Sequence, residues 1–237
     1  MSKDKAVKIK TALISVSNKN GLDLIAKFLN SNQIKIISTG GTAKYIEELG
    51  IEVITVSSLT NFPEIMNGRI KTLSPLIYGG LLNRSDIDDD IQDELGIENI
   101  DLIIVNLYPF EDTISKKNVT EEDAIENIDI GGPSMIRASA KNFYSKTIVT
   151  SPNDYEMLIS ELDNNNCSVA YKIRKKLALK AFKTTALYDA NIQKHFQMTI
   201  EKVNIPQNLA LGLNKKNDLR YGENPHQKAG LYSFGNI

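Results

Sequence analysis

TALISVSNKNGLDLIAKFLNSNQIKIISTGGTAKYIEELGIEVITV, residues 11–56, is the stretch that decides the fold. TALISV (11–16) reads as a buried strand, and IKIIS (34–38) and IEVITV (51–56) repeat that reading as short β-branched runs. Between the first two, Leu22, Ile25, Ala26 and Leu29 fall at helical spacing. TAKYIEELG (42–50) reads as a second helix, closed by Gly50. Further along, DLIIVNLY (101–108) has almost no polar break, as a strand covered on both faces requires. KTIVT (146–150) supplies a fifth strand. This strand–helix rhythm predicts an α/β fold of three layers, a mainly parallel sheet with helices on both faces.

The rhythm stops between Ser57 and Arg84, where Pro and Gly interrupt any period while apolar residues persist. A long irregular segment that keeps its apolar residues is a functional loop rather than a disordered one. Ligands in open α/β sheets sit outside the carboxyl ends of the strands, so this segment is the first candidate for a site. From Val169 to about Phe196 the reading is helical, with Ile173, Leu177, Ala181, Thr184 and Tyr188 on one face and Lys and Arg on much of the other. That pattern predicts a packing helix rather than a nucleic-acid-binding one. From Asn204 the chain reads as polar and irregular, ending in LRYGENPHQKAGLY.

Composition narrows the function classes. The 237 residues carry 28 Lys plus Arg against 29 Asp plus Glu, a net charge of −1, with 41% apolar and 24% charged residues. This is globular usage, not that of a disordered tail, a collagen or a coiled coil. The near-zero charge argues against a chain built to bind nucleic acid. Cys167 is the one cysteine, so an internal disulfide is excluded and a reducing compartment is expected. MSKDKAVKIK has no apolar signal core, and no apolar run reaches the ~18 residues of a membrane span. A cytoplasmic protein without membrane or nucleic-acid partners is therefore expected. His195 and His226 are the two histidines and lack metal-ligand spacing, so no metal site is expected.

Five segments carry residues suited to chemistry. Ser38-Thr39-Gly40-Gly41-Thr42 joins a strand to a helix. It reads either as a phosphate cradle, with backbone N–H groups and hydroxyls at a helix N-terminus, or as a tight turn. Ser17, Asn18 and Lys19 follow the first strand and would project beside that turn, unless they form an ordinary loop. Arg69-Ile70-Lys71-Thr72 could clamp an anion, and a desolvated lysine there could move protons; the alternative is a solvated basic loop. Asn106 and Tyr108 end the most apolar strand, where a polar side chain needs partners that a ligand could supply. Asp129 lies between two isoleucines and precedes Gly131-Gly132 and a helical run ending at Lys141. A carboxylate in apolar company is paired or has a raised pKa, and both conditions cluster at sites, although Asp129 could equally cap the helix.

Together SVSNKNGL, STGGTAKYIEELGI, LTNFPEIMNGRIKTLSP, VNLYPF, ENIDIGGPSMIRASAKN and LRYGENPHQ closely resemble, in this order, the PurH family of purine biosynthesis proteins. The resemblance runs from Ala12 to Tyr232. It implies an IMP cyclohydrolase domain over residues 1–200 with a methylglyoxal-synthase-like fold. Residues 201–237 would be a linker and the truncated start of an AICAR formyltransferase domain. The implied reaction closes FAICAR to IMP with loss of water, without a cofactor; 10-formyltetrahydrofolate would serve only the transferase domain. The family's catalytic set falls on Lys71, Tyr108, Asp129 and Lys141, with Lys141 moving the proton. Its substrate-binding set falls on Ser17, Asn18, Lys19, Thr39, Gly40, Gly41, Thr42, Arg69, Thr72, Asn106, Ile130 and Gly131. A homodimer is implied by the same analogy. Three positions depart from the family: Ser74 and Tyr78 stand where histidines are usual, and Asn18 where Asp is common. The competing functional readings are a methylglyoxal synthase, which leaves NLYPF and the Asp129 segment unexplained, and a nucleotide sensor, which would need the cradle alone.

Overall fold

The computed structural model describes residues 5–201 and 207–234. Five parallel strands form the central sheet: Ile54–Thr55, Lys35–Ser38, Thr11–Val16, Leu102–Asn106 and Thr147–Val149, in that spatial order. Register follows from alternation, since a one-residue slip would turn every side chain to the wrong face. Leu13 pairs with Ile37 on one side and Ile103 on the other, and Ile103 with Ile148. These four point into one apolar layer with Ile77, Leu81, Met135 and Ile136. Ala12, Ile14, Ile36, Ile104 and Val149 point the other way, against Leu22, Ile25, Leu29 and Leu158. The sheet is thus buried on both faces, which fixes the three-layer α/β architecture.

Four local readings need correction. The third strand spans only Ile54–Thr55, because a short helix, Val56–Thr60, starts at once with the Thr55 hydroxyl accepting from the Ser58 N–H. The second helix runs Gly40–Glu48 with Thr39 as its N-cap, so the glycines form its first turn rather than a loop before it. Within the supposedly irregular 57–84 segment, Pro75–Leu82 is helical, capped by the Ser74 hydroxyl accepting from the Leu76 N–H at 3.3 Å. The polar tail is not irregular throughout: Asn214–Leu219 and Ala229–Ser233 form an antiparallel pair. The late helix spans Tyr171–Phe196.

The chain divides into two compact units. One contains residues up to Tyr108 and Asp129–Lys183, and holds the central sheet. The other contains Pro109–Ile128 and the residues from Thr184 on. Within this second unit buried Phe110 meets Tyr188 and His195 edge-on, at centroid distances of 6.3 and 5.6 Å. Among the described residues no helix is long and apolar enough to cross a membrane.

Candidate active site at the carboxyl edge of the sheet

The strand order reverses direction at Thr11–Val16, whose neighbours are the second strand on one side and Leu102–Asn106 on the other. Loops leaving these strands diverge there, opening a crevice. Asn106 braces it: its Oδ1 accepts from the Ser17 and Asn18 N–H groups at 2.7 and 2.9 Å, and its Nδ2 donates to the Asn18 carbonyl at 2.9 Å. The side chain read as a ligand partner is thus committed to holding the 17–18 turn. Lys19 follows, and its carbonyl accepts from the Leu22 N–H to start the helix Leu22–Ser31.

The Gly40–Gly41 turn lies across the crevice. No side chain caps this helix at Thr39, so its first N–H groups point outward. Thr42 is buried, its hydroxyl accepting from the Val16 N–H and donating to the Val16 carbonyl at 3.1 and 3.0 Å. It ties the turn to the first strand. Ser15 and Thr39 share a hydroxyl contact of 3.1 Å.

The 64–71 segment folds back on itself. Ile65 and Ile70 form an antiparallel bridge around Met66, Asn67 and Gly68, all with positive φ. Lys71 Nζ lies 2.9 Å from Glu64 Oε1. A Cβ on Gly40 would lie 3.6 Å from Lys71 Nζ, so the ammonium rests against the cradle. Arg69 is exposed at the end of the turn.

Asp129 opens the helix Gly131–Lys141. Its Oδ1 accepts from the Gly132 N–H at 2.8 Å, and burial pushes its carboxyl pKa up against the pull of N–H groups from Gly132 and Tyr108. Buried Thr72 sets its hydroxyl against Gly131, 3.1 Å from where a Cβ would stand. Ile130 and Tyr108 are exposed. Tyr78 lies under this corner, its hydroxyl enclosed without a hydrogen-bond partner of ordinary geometry. Burial raises its pKa, the Ser134 hydroxyl pulls it back and the Asp129 charge adds to the rise.

Lys141 is not in this group. It ends its helix, exposed, about 15 Å along the axis from Gly131 at 1.5 Å per residue. The helix returns the chain toward the amino edge of the sheet, where Thr147 pairs with Leu102. Sequence reasoning had missed Glu64 and treated Tyr78 only as a lost histidine. Asn67-Gly68, a hairpin signal, could have revealed that residues 64 and 71 face each other.

Residues 21–134 match the family described as an MGS-like domain, and residues 139–236 match the AICARFT/IMPCHase bienzyme. The bifunctional purine biosynthesis protein PurH of Polynucleobacter necessarius is 47% identical over 232 residues, covering 94% of this chain and 44% of that protein. The PurH protein of Bacillus cereus is 51% identical over 227 residues, with the same coverages. The chain belongs to the PurH family. It spans less than half the length of these PurH relatives. A solved structure described as the crystal structure of ForH superposes with a TM-score of 0.72 at 30% identity, covering 79% of this chain and 99% of that one. The MGS-like match spans Gly40, Lys71 and Asp129.

Proposed function

We propose that this chain is an IMP cyclohydrolase, closing FAICAR to IMP in purine biosynthesis. The observation that carries the reading is the convergence, at one carboxyl-edge crevice, of an uncapped glycine turn, an ammonium resting on that turn and a desolvated carboxyl. The 5′-phosphate would bind the N–H groups of Gly40 and Gly41, where the helix end favours an anion. Ser17, Asn18 and Lys19, held by Asn106, and Arg69 and Thr72 would bind the rest of the nucleotide.

The two reacting groups belong to one molecule, so the protein's main task is to hold the productive rotamer. The carboxamide nitrogen attacks the formyl carbon as Asp129 takes its proton; the raised pKa suits a carboxyl to this task. Lys71 and Tyr108 would stabilise the charge developing on the formyl oxygen. Asp129 then returns that proton to the formyl oxygen, giving the carbinolamine hydroxyl. The hydroxyl departs as water with the proton released by the formamide nitrogen, and the ring double bond forms between that nitrogen and the former formyl carbon. The step needs neither metal nor folate. Formylation of AICAR with 10-formyltetrahydrofolate is proposed only for a longer protein that includes the transferase domain, and a homodimer remains an expectation from the resemblance.

The test compares FAICAR turnover and IMP binding in wild type, Lys71→Ala and Lys141→Ala. Loss of turnover by about a hundredfold or more in Lys71→Ala, with IMP still bound, supports the assignment. An equal loss in Lys141→Ala would mean that the helix end meets substrate in another arrangement, restoring the proton-transfer role implied by the resemblance.

A further inference from the structure

The turn at Met66–Gly68 does more than connect two elements. The Ile65–Ile70 bridge, with N–H to carbonyl distances of 3.2 and 3.4 Å, sets residues 64 and 71 directly opposite each other. Three consecutive residues with positive φ are needed to reverse the chain this tightly, and such conformations persist where the surrounding structure demands them. Gly68 has φ +87°, and a Cβ there would come within 2.6 Å of both Glu64 Oε1 and Lys71 Cε. The glycine therefore leaves room for this pair specifically. The carboxylate also touches the cradle, Glu64 Oε2 lying 3.9 Å from where a Gly40 Cβ would stand.

We propose that Glu64 is a positioning residue for Lys71. The bridge delivers the carboxylate across the turn, and the carboxylate holds the ammonium against Gly40. A free lysine has four rotatable bonds and would sample many directions from the same Cα. Pairing with Glu64 selects the direction that reaches the crevice. The catalytic significance of this arrangement rests on the cyclohydrolase reading; the arrangement itself does not.

Two measurements on the intact chain test it. The first is the rate at which N-acetoxysuccinimide acetylates Lys71, followed by mass spectrometry of the peptide that contains it, in wild type, Glu64→Ala and Glu64→Asp. Acetylation several-fold faster in Glu64→Ala, with Glu64→Asp close to wild type, is expected. Equal rates in all three would overturn the proposal. The second is FAICAR turnover. Glu64→Ala should lower kcat about tenfold while leaving KM within about twofold, and Glu64→Asp should recover most of kcat. A raised KM with unchanged kcat would overturn the positioning role, since Glu64 would then serve binding alone. If wild type does not close FAICAR, the functional reading fails by itself, and the acetylation rates still decide whether Glu64 holds Lys71.

Discussion

Asp129 is asked to be buried and ionisable at once, and the two demands conflict energetically. Its raised pKa means that the unfolded chain gives up this proton more readily than the folded one. The carboxyl therefore costs nothing below the ordinary carboxylate range, and its cost is complete above the folded pKa. Asp129→Asn should abolish FAICAR closure, by about 10²- to 10⁴-fold. The variant should nevertheless resist urea better than wild type at pH 7, with the gap closing as pH falls from the raised pKa into the ordinary carboxylate range. A variant equally active, or less stable at pH 7, would contradict this assignment. Tyr78 offers a second residue-scale test. Its enclosed hydroxyl lacks a partner of ordinary geometry, and such a group costs stability. Tyr78→Phe should gain up to about 1 kcal/mol in urea unfolding and keep FAICAR turnover within a few-fold. A large loss of turnover would instead make the hydroxyl a substrate contact that replaces the family's imidazole.

Among the elements, the 64–71 turn is the most exacting. Alanine at Gly68 would have to adopt φ +87° and would meet the Glu64–Lys71 pair. Gly68→Ala should lose about tenfold or more in FAICAR turnover while the far-ultraviolet circular dichroism stays unchanged. Unchanged turnover would mean that the turn does not position the lysine. Legibility in the sequence divides along the same lines. The nearly unbroken apolar runs in Thr11–Val16 and Leu102–Asn106 announced the sheet, because both faces are covered. The glycines at 40–41 and the isolated Asp129 were legible as candidates, since a turn and an apolar neighbourhood each leave a local signature. The helix Pro75–Leu82 was missed although Ser74-Pro75 is an N-cap followed by a proline at the first helical position. What could not be read was position along the third dimension. The run from Asp129 to Lys141 looks continuous, but as a helix it carries its two ends to opposite edges of the sheet. The Glu64–Lys71 pair likewise depends on a bridge between residues five apart.

At the scale of the molecule, the two edges of the sheet have different work. The carboxyl edge holds the crevice, while the amino edge holds a buried polar network. Lys146 is 1% exposed and donates to Asn99 Oδ1 at 2.6 Å. Asn99 in turn bonds Asp101, whose Oδ2 accepts from the Lys10 and Thr11 N–H groups at 2.8 and 3.1 Å. Burial pulls the Lys146 ammonium down to about 8, and Asp101 offsets only part of that. The unfolded chain, with its lysine at the ordinary value, binds this proton more tightly, so stability is depressed below pH 8 and recovers as pH rises above it. Relative to Lys146→Met, wild type should gain stability in urea as pH rises from about 8 to about 10.5. Parallel curves for the two proteins would show that the ammonium carries no such cost. Both edges hang on one sheet, yet only the carboxyl edge is required for the reaction proposed. The most direct measurement is to mix the purified chain with FAICAR alone, without folate or metal, and follow IMP by absorbance against an enzyme-free control. Saturable formation of IMP far above the control rate, lost in Lys71→Ala, is the expected result. A folded wild-type chain that leaves FAICAR at the uncatalysed rate would contradict the account.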